Sequence, residues 1–220
     1  MERIIVGETG WSNDDNKTDP GKLIEISEQM KSVLDIFSKE QYADSEDMCV
    51  LIQNISSALD KWTGATYVGV RKDEKLESAY SLFYETFHDL LFCWLDIEGI
   101  YHIIAKKMLY SGDLYRYLGH ASGTNDYYSR VEPEYNNLWV SWSKDDVRDN
   151  GYLGSKLYGS RTLLKCKTGY MGGIDLTGWD EVFETSIVRA NESEVVFPTI
   201  KDNVIDVIYY DMKKRYSDDE

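Results

Sequence analysis

Residues 113–120 read DLYRYLGH, and the architecture of the chain turns on them. The run is short and apolar. It is bounded by Asp113 and Gly119, and it holds Arg116 at its centre. Length, aromatic content and turn-forming ends predict a β-strand. Upstream, apolar residues recur at helical spacing; downstream, short strand-like runs take over. The expectation is an α+β fold, with a helical N-terminal portion (1–110) packed on a C-terminal β-rich portion (111–220).

The upstream pattern is regular. In KLIEISEQMKSVLDIFSKE (22–40), Leu23, Ile24, Ile26, Met30, Val33, Leu34 and Phe37 mark one helix face. SEDMCVLIQNISSALDKW (45–62) opens with Ser45 ahead of acidic residues, a helix-start signature, and carries a second stripe. LESAYSLFYETFHDLLFCWL (76–95) carries a third. The apolar stretch 87–110 is broken by Asp89, Asp96, Glu98, Lys106 and Lys107, so it reads as buried helix and not as a membrane span. Downstream, NLWVSWS (137–143), RTLLKCKT (161–168), SEVVFP (193–198) and NVIDVIYYD (203–211) are each bounded by polar or turn residues and read as strands.

Composition narrows the function. The chain has 220 residues, 39 acidic against 24 basic, and a net charge of −15. That charge repels phosphates over most of the surface and argues against a general nucleic-acid binder. Cys49, Cys93 and Cys166 are few, odd in number and widely spaced, which fits a reducing compartment. The segment MERIIVGETG lacks the apolar core of a secretory signal, so a cytoplasmic protein, or one delivered into a target cell, is expected. No phosphate-binding GxxxxGK[ST], no strand-borne GxGxxG and no GxSxG elbow occurs. His88, His102 and His120 lie far apart without cysteine partners, and no metal is expected.

What remains is NESEVVFP (191–198). Along a strand, residues i and i+2 share a face, so Glu192 and Glu194 would project together. By themselves these residues fit two readings. One is a solvated turn in an acidic protein. The other is a carboxylate pair serving an anomeric carbon: breaking a glycosidic bond develops an oxocarbenium cation, which one carboxylate stabilises while the other handles the nucleophile. Arg116 presents a guanidinium whose planar fork suits phosphate oxygens. Ser141 and Ser143, two apart, share a face and offer small hydroxyls beside such a site.

Taken in order, arginine, then Ser-x-Ser, then Glu-x-Glu resembles the arginine–serine–glutamate class of mono-ADP-ribosyltransferases. LYRYLGH resembles that family's first motif, NNLWVSWSKDD its Ser-Thr-Ser strand, and KCKTGYMGGIDLTGWDEVFETSIVRANESEVVFP its strand, loop and Glu-x-Glu segment. The resemblance covers roughly residues 108–210 and implies a two-sheet β core that binds NAD as substrate. It implies that Arg116 holds the pyrophosphate or a ribose, with Ser141 and Ser143 among the NAD-binding residues. Ser141 would bridge the nicotinamide ribose to Glu194, and Glu194 would bind the ribose 2′-hydroxyl and stabilise the cation. Glu192 would meet the acceptor, the arginine of a target protein. The position after the arginine, where backbone approaches nicotinamide, is Tyr117, and the middle of Ser-x-Ser is Trp142, which alternation turns into packing. Tyr152 and Tyr158 are candidates to stack on nicotinamide. The loop 176–191 would face the target, with Trp179 or Phe183 as aromatic contacts. A toxin or effector role follows from the family alone. Two alternatives stay open: NAD hydrolysis at the same site, and a non-catalytic interaction protein that keeps the fold.

Overall fold

The computed structural model describes residues 18–39, 45–64, 73–119, 139–146, 160–187, 193–198 and 204–211. Glu192, Tyr152 and Tyr158 lie outside them. The chain divides into two units: 1–109 with 176–189, and 110–175 with 190–220.

The first unit is helical. Its helices are α1 (Pro20–Ser38), α2 (Ser45–Gly64), α3 (Glu74–Leu95), α4 (Ile100–Met108) and α5 (Leu176–Phe183). Asp19 starts α1 by accepting from the Gly21 amide at 2.8 Å, with Pro20 pre-set for the first turn. Asp73 does the same for α3, accepting from the Lys75 and Leu76 amides at 3.0 and 3.2 Å. The sequence reads as buried helix through 87–110, but the helix stops at Leu95 and restarts at Ile100. Gly99 makes the break, at φ 92, a backbone state that glycine alone enters freely.

The apolar stripes meet in one core. Leu23, Ile26, Met30 and Val33 of α1, Met48, Leu51, Ile52, Ile55 and Leu59 of α2, and Tyr80, Phe83, Tyr84, Phe87, Leu90, Leu91 and Trp94 of α3 are all buried. Burial of this kind, worth about 1.5–3 kcal/mol for a large apolar side chain, holds the helices together. Burial also lifts the Tyr80 hydroxyl to about 12, against the opposing pull of its bond with Thr18.

Residues 176–183 form a helix, where the family resemblance implies a target-facing loop over 176–191. Trp179 is fully buried, its indole N–H donates to Ser56 Oγ at 3.0 Å, and its ring meets Phe87 edge-on at 5.6 Å. Phe183 is buried beside it, with centroids 4.4 Å apart. Neither aromatic is therefore offered to a target. The division expected at residue 110 gains an exception for the same reason: α5 is carried in the C-terminal half of the sequence but completes the helical core.

The second unit is an antiparallel sheet, so the fold class is α+β. Its strands are β1 (Leu109–Tyr110), β2 (Asp113–Gly119), β3 (Trp139–Ser143), β4 (Ser160–Lys167), β5 (Gly173–Asp175), β6 (Glu194–Pro198) and β7 (Val204–Asp211). The spatial order is β1-β5-β6-β3-β2-β4-β7. Two well-paired runs make up this sheet. β2 pairs along its whole length with β4, from Asp113 opposite Lys167 to Gly119 opposite Arg161. β3 pairs along its whole length with β6, from Trp139 opposite Pro198 to Ser143 opposite Glu194. Between these runs, β2 and β3 share one register pair, Tyr115 with Ser143.

Candidate functional site

Alternation decides what β3 presents. Val140 and Trp142 are buried on one face, whereas Trp139, Ser141 and Ser143 are half-buried on the other. Trp142 is 3 % exposed and its indole N–H donates to the Phe197 carbonyl at 3.1 Å. The bulky residue between the two serines thus fills the interior and cross-links β3 to β6, leaving the serine face clear.

Three of the predicted residues come together on neighbouring strands. Ser141 Oγ donates to Glu194 Oε1, across 53 positions of sequence. Glu194 opens β6 opposite Ser143 and is 9 % exposed. Burial of a carboxylate is costly unless donors satisfy it, and the serine hydroxyl is one such donor. Arg116 reaches the same place from β2: its Nη1 donates to the main-chain oxygen of Ser141. Arginine, serine and glutamate thus form one bonded run across β2, β3 and β6.

The position of Arg116 was not evident from alternation. Tyr115 pairs with Ser143, so Arg116 starts on the Trp142 side of its strand, with Leu114. A carbonyl oxygen, however, lies in the plane of the sheet and can be met from either face. Past the single β2–β3 pair, the Ser141 carbonyl is outside that ladder, and buried backbone oxygens require a donor. The guanidinium supplies it.

Other predicted residues take different places. Ser143 Oγ accepts from the Asp145 amide at 3.1 Å, so this hydroxyl serves the bend after β3. Tyr117 lies in β2 opposite Leu163.

The site borders a field of carboxylates. The Tyr110 hydroxyl is pushed above its ordinary value by burial first, then by Asp113, Asp175, Tyr115 and Asp145. Lys144 answers part of this charge, with Nζ 2.7 Å from Asp175 Oδ2 in a largely buried pair. Lys165 answers another part, 2.6 Å from Asp113 Oδ2. On the interior face, burial drives the Cys166 thiol up to about 12, with Asp113 adding to it.

Two residues that the sequence reading passed over stand beside the site. Ser193, between the glutamates, donates its hydroxyl to Asp145 Oδ2 at 2.6 Å. The Lys144 amide donates to the Ser193 carbonyl at 3.0 Å. The signal for Asp145 was its place just beyond Ser-x-Ser, and for Ser193 its place inside Glu-x-Glu.

Among the described residues, no cluster of three His, Cys, Asp or Glu side chains could hold a metal ion, and no helix is long and apolar enough to cross a membrane. The hydroxyl of Ser141 beside the carboxylate of Glu194 can bind a sugar hydroxyl and stabilise positive charge next to it, while the Arg116 guanidinium, a group suited to phosphate, reaches the Ser141 main chain from the other face of its strand. Compared with known proteins, the chain matches no family model, no curated sequence and no solved structure.

Proposed function

We propose that this chain is an NAD-dependent mono-ADP-ribosyltransferase that modifies arginine side chains of a target protein. The observation that carries the reading is the bonded run Arg116–Ser141–Glu194, assembled from three strands. The described strands form one seven-stranded sheet where the resemblance implies two, so the reading rests on this run and not on the sheet count.

In this reading Arg116 holds the pyrophosphate or a ribose of NAD, where a permanent cation with planar donors suits phosphate oxygens. Ser141 ties the nicotinamide ribose to Glu194. The bond from the ribosyl C1′ to the pyridinium nitrogen breaks, and nicotinamide leaves with the electron pair. Glu194 stabilises the cation that develops on the ribose. An arginine nitrogen then attacks C1′, and Glu192 takes the proton that this nitrogen sheds. The balance is NAD plus arginine giving ADP-ribosyl-arginine, nicotinamide and one proton. Water in place of arginine gives free ADP-ribose from the same site.

The test uses labelled NAD and a cell lysate. Wild-type protein is expected to label protein on arginine. Glu194→Gln should lower both labelling and nicotinamide release by about 10²–10³, the range for deleting one electrostatic stabiliser of a transition state. Glu192→Gln should abolish labelling while nicotinamide release continues. A folded wild-type protein that neither labels protein nor consumes NAD refutes the proposal. Nicotinamide release without labelling points to hydrolysis.

A further inference from the structure

Glu194 is held by Ser141 on one face of the sheet, and the opposite face carries a second tie at the same place. β6 lies between β5 and β3. Asp175 ends β5 opposite Val195, and Val195 lies opposite Trp142 of β3, so these three residues share the face turned away from Ser141 and Glu194. Lys144 follows Ser143 and extends the ladder by one step, its amide donating to the Ser193 carbonyl at 3.0 Å. Two residues past Trp142, its side chain leaves on the same face as Asp175. Its ammonium spans β6 and meets Asp175 Oδ2 at 2.7 Å, with the two side chains 24 % and 10 % exposed. The Tyr110 ring centroid lies 6.0 Å from that ammonium. The ion pair therefore joins the end of β3 to the end of β5 where β6 begins, and the backbone of Glu194 lies between this strap and the serine hydroxyl.

We propose that Lys144 and Asp175 are positioning residues for Glu194: joined across the entrance of β6, they hold its first residue where the carboxylate meets Ser141 Oγ. What this means for turnover rests on the transferase reading of the same site. The physical basis is the low exposure of the pair. An ion pair on the open surface contributes little, but a largely desolvated one at bonding distance constrains both partners, and either charge left alone there is costly. With β3 and β5 held at a fixed spacing, β6 has little freedom to slide or tilt between them. Glu194 feels this most, as the first residue of the strand. In the proposed reaction its carboxylate acts as charge develops on the ribose, so a displaced Glu194 lowers kcat and leaves the binding of NAD nearly unchanged.

The first test needs no turnover. Ser141→Ala is made in the wild type, in Lys144→Met/Asp175→Val and in Lys144→Arg, and urea unfolding of the full-length chain is measured for each. The double replacement removes both charges together, so neither is left buried without its partner. In the wild type, Ser141→Ala should shift the unfolding equilibrium about thirtyfold, the loss of one hydrogen bond to a charged acceptor. Without the strap the same change should shift it less than about fivefold, and with Lys144→Arg, which keeps the cation, more than about fifteenfold. An equal shift with and without the strap overturns the inference, and so does a Lys144→Arg value as low as that of the neutral variant. Should the double variant not fold, Asp175→Asn, which keeps the shape and removes the charge, carries the same comparison. The second test measures kcat and KM for nicotinamide release from NAD, at a temperature where melting curves show each variant folded. The double variant should lose about five- to twentyfold in kcat, with KM within about twofold of wild type. An unchanged kcat overturns the inference. A wild type that releases no nicotinamide refutes the transferase reading, and the stability comparison then decides by itself whether the strap places Glu194.

Discussion

The bond between Ser141 and Glu194 can be measured apart from any activity. Ser141→Ala removes the hydroxyl and leaves the carboxylate without that donor. A hydrogen bond to a charged group contributes about 1.5–3 kcal/mol when little water competes for it. Glu194 is 9 % exposed, which favours the upper part of that range, but Ser141 is half-buried, which pulls the figure down. The structure therefore sets the loss on Ser141→Ala at about 2 kcal/mol. In a Glu194→Met background the acceptor is gone and the volume nearly kept, so deleting the hydroxyl should cost under about 0.5 kcal/mol, since removing both partners together is far less damaging than removing one. The coupling energy of the cycle is then about 1.5 kcal/mol. Urea unfolding followed by tryptophan fluorescence gives the four stabilities, with Trp139 and Trp142 of β3 as reporters beside the site. If Ser141→Ala costs the same in both backgrounds, the hydroxyl does not serve the carboxylate, and the bonded run behind the proposed function loses its central link.

Two further outcomes follow from the packing. At Gly178 an added Cβ would lie 2.2 Å from the Lys107 carbonyl oxygen, so Gly178→Ala should destabilise by about 1–3 kcal/mol despite the gain of about 1 kcal/mol in helix propensity; a more stable variant on thermal melting would show that α5 does not pack so closely on α4. The Cys166 thiol, 1 % exposed, titrates near 12 in the folded chain against 9.0 when free. Its folded value is raised, so its contribution is whole below pH 9 and drains away as pH climbs from 9 toward 12, because the unfolded thiol ionises first. By pH 10.5 about 2 kcal/mol should be lost through this group, and denaturant melts of Cys166→Ala should show a correspondingly shallower decline between pH 9 and 10.5.

Long elements with a strong pattern were legible in the sequence. The stripes of α1, α2 and α3 follow helical spacing, and β2, β6 and β7 fall within a residue of the runs bounded by turn formers. Short elements were not. β1 and β5, of two and three residues, are too brief for any period to register. α5 carried a contrary signal as well: Gly178 argues against helix by propensity, yet glycine is there because the Lys107 backbone comes too close for any side chain. A local penalty is accepted for a tertiary contact, and only the folded chain shows that contact. The candidate site divides in the same way. Which residues to propose for the chemistry could be read from their types and order. That Arg116 meets the Ser141 carbonyl depends on β2 lying next to β3 with a ladder one pair long, which no local pattern encodes. The bond from Ser193 to Asp145 spans 48 positions, and its ends look, in sequence, like two ordinary polar residues of an acidic protein.

The placement of α5 has a bearing on how the chain is made. Trp179, which seats itself against Phe87 and Ser56, leaves the ribosome after β2, β3, β4 and β5. The helical core, though begun by residue 20, lacks its last plug until residue 183 has emerged. A fragment cut near residue 110 would present an open socket where the indole belongs, and the complementary fragment would carry a tryptophan with nowhere to go. Synthesis in order thus leaves the first unit unfinished while most of the second is already out, and expression of either half alone should favour aggregation over folding.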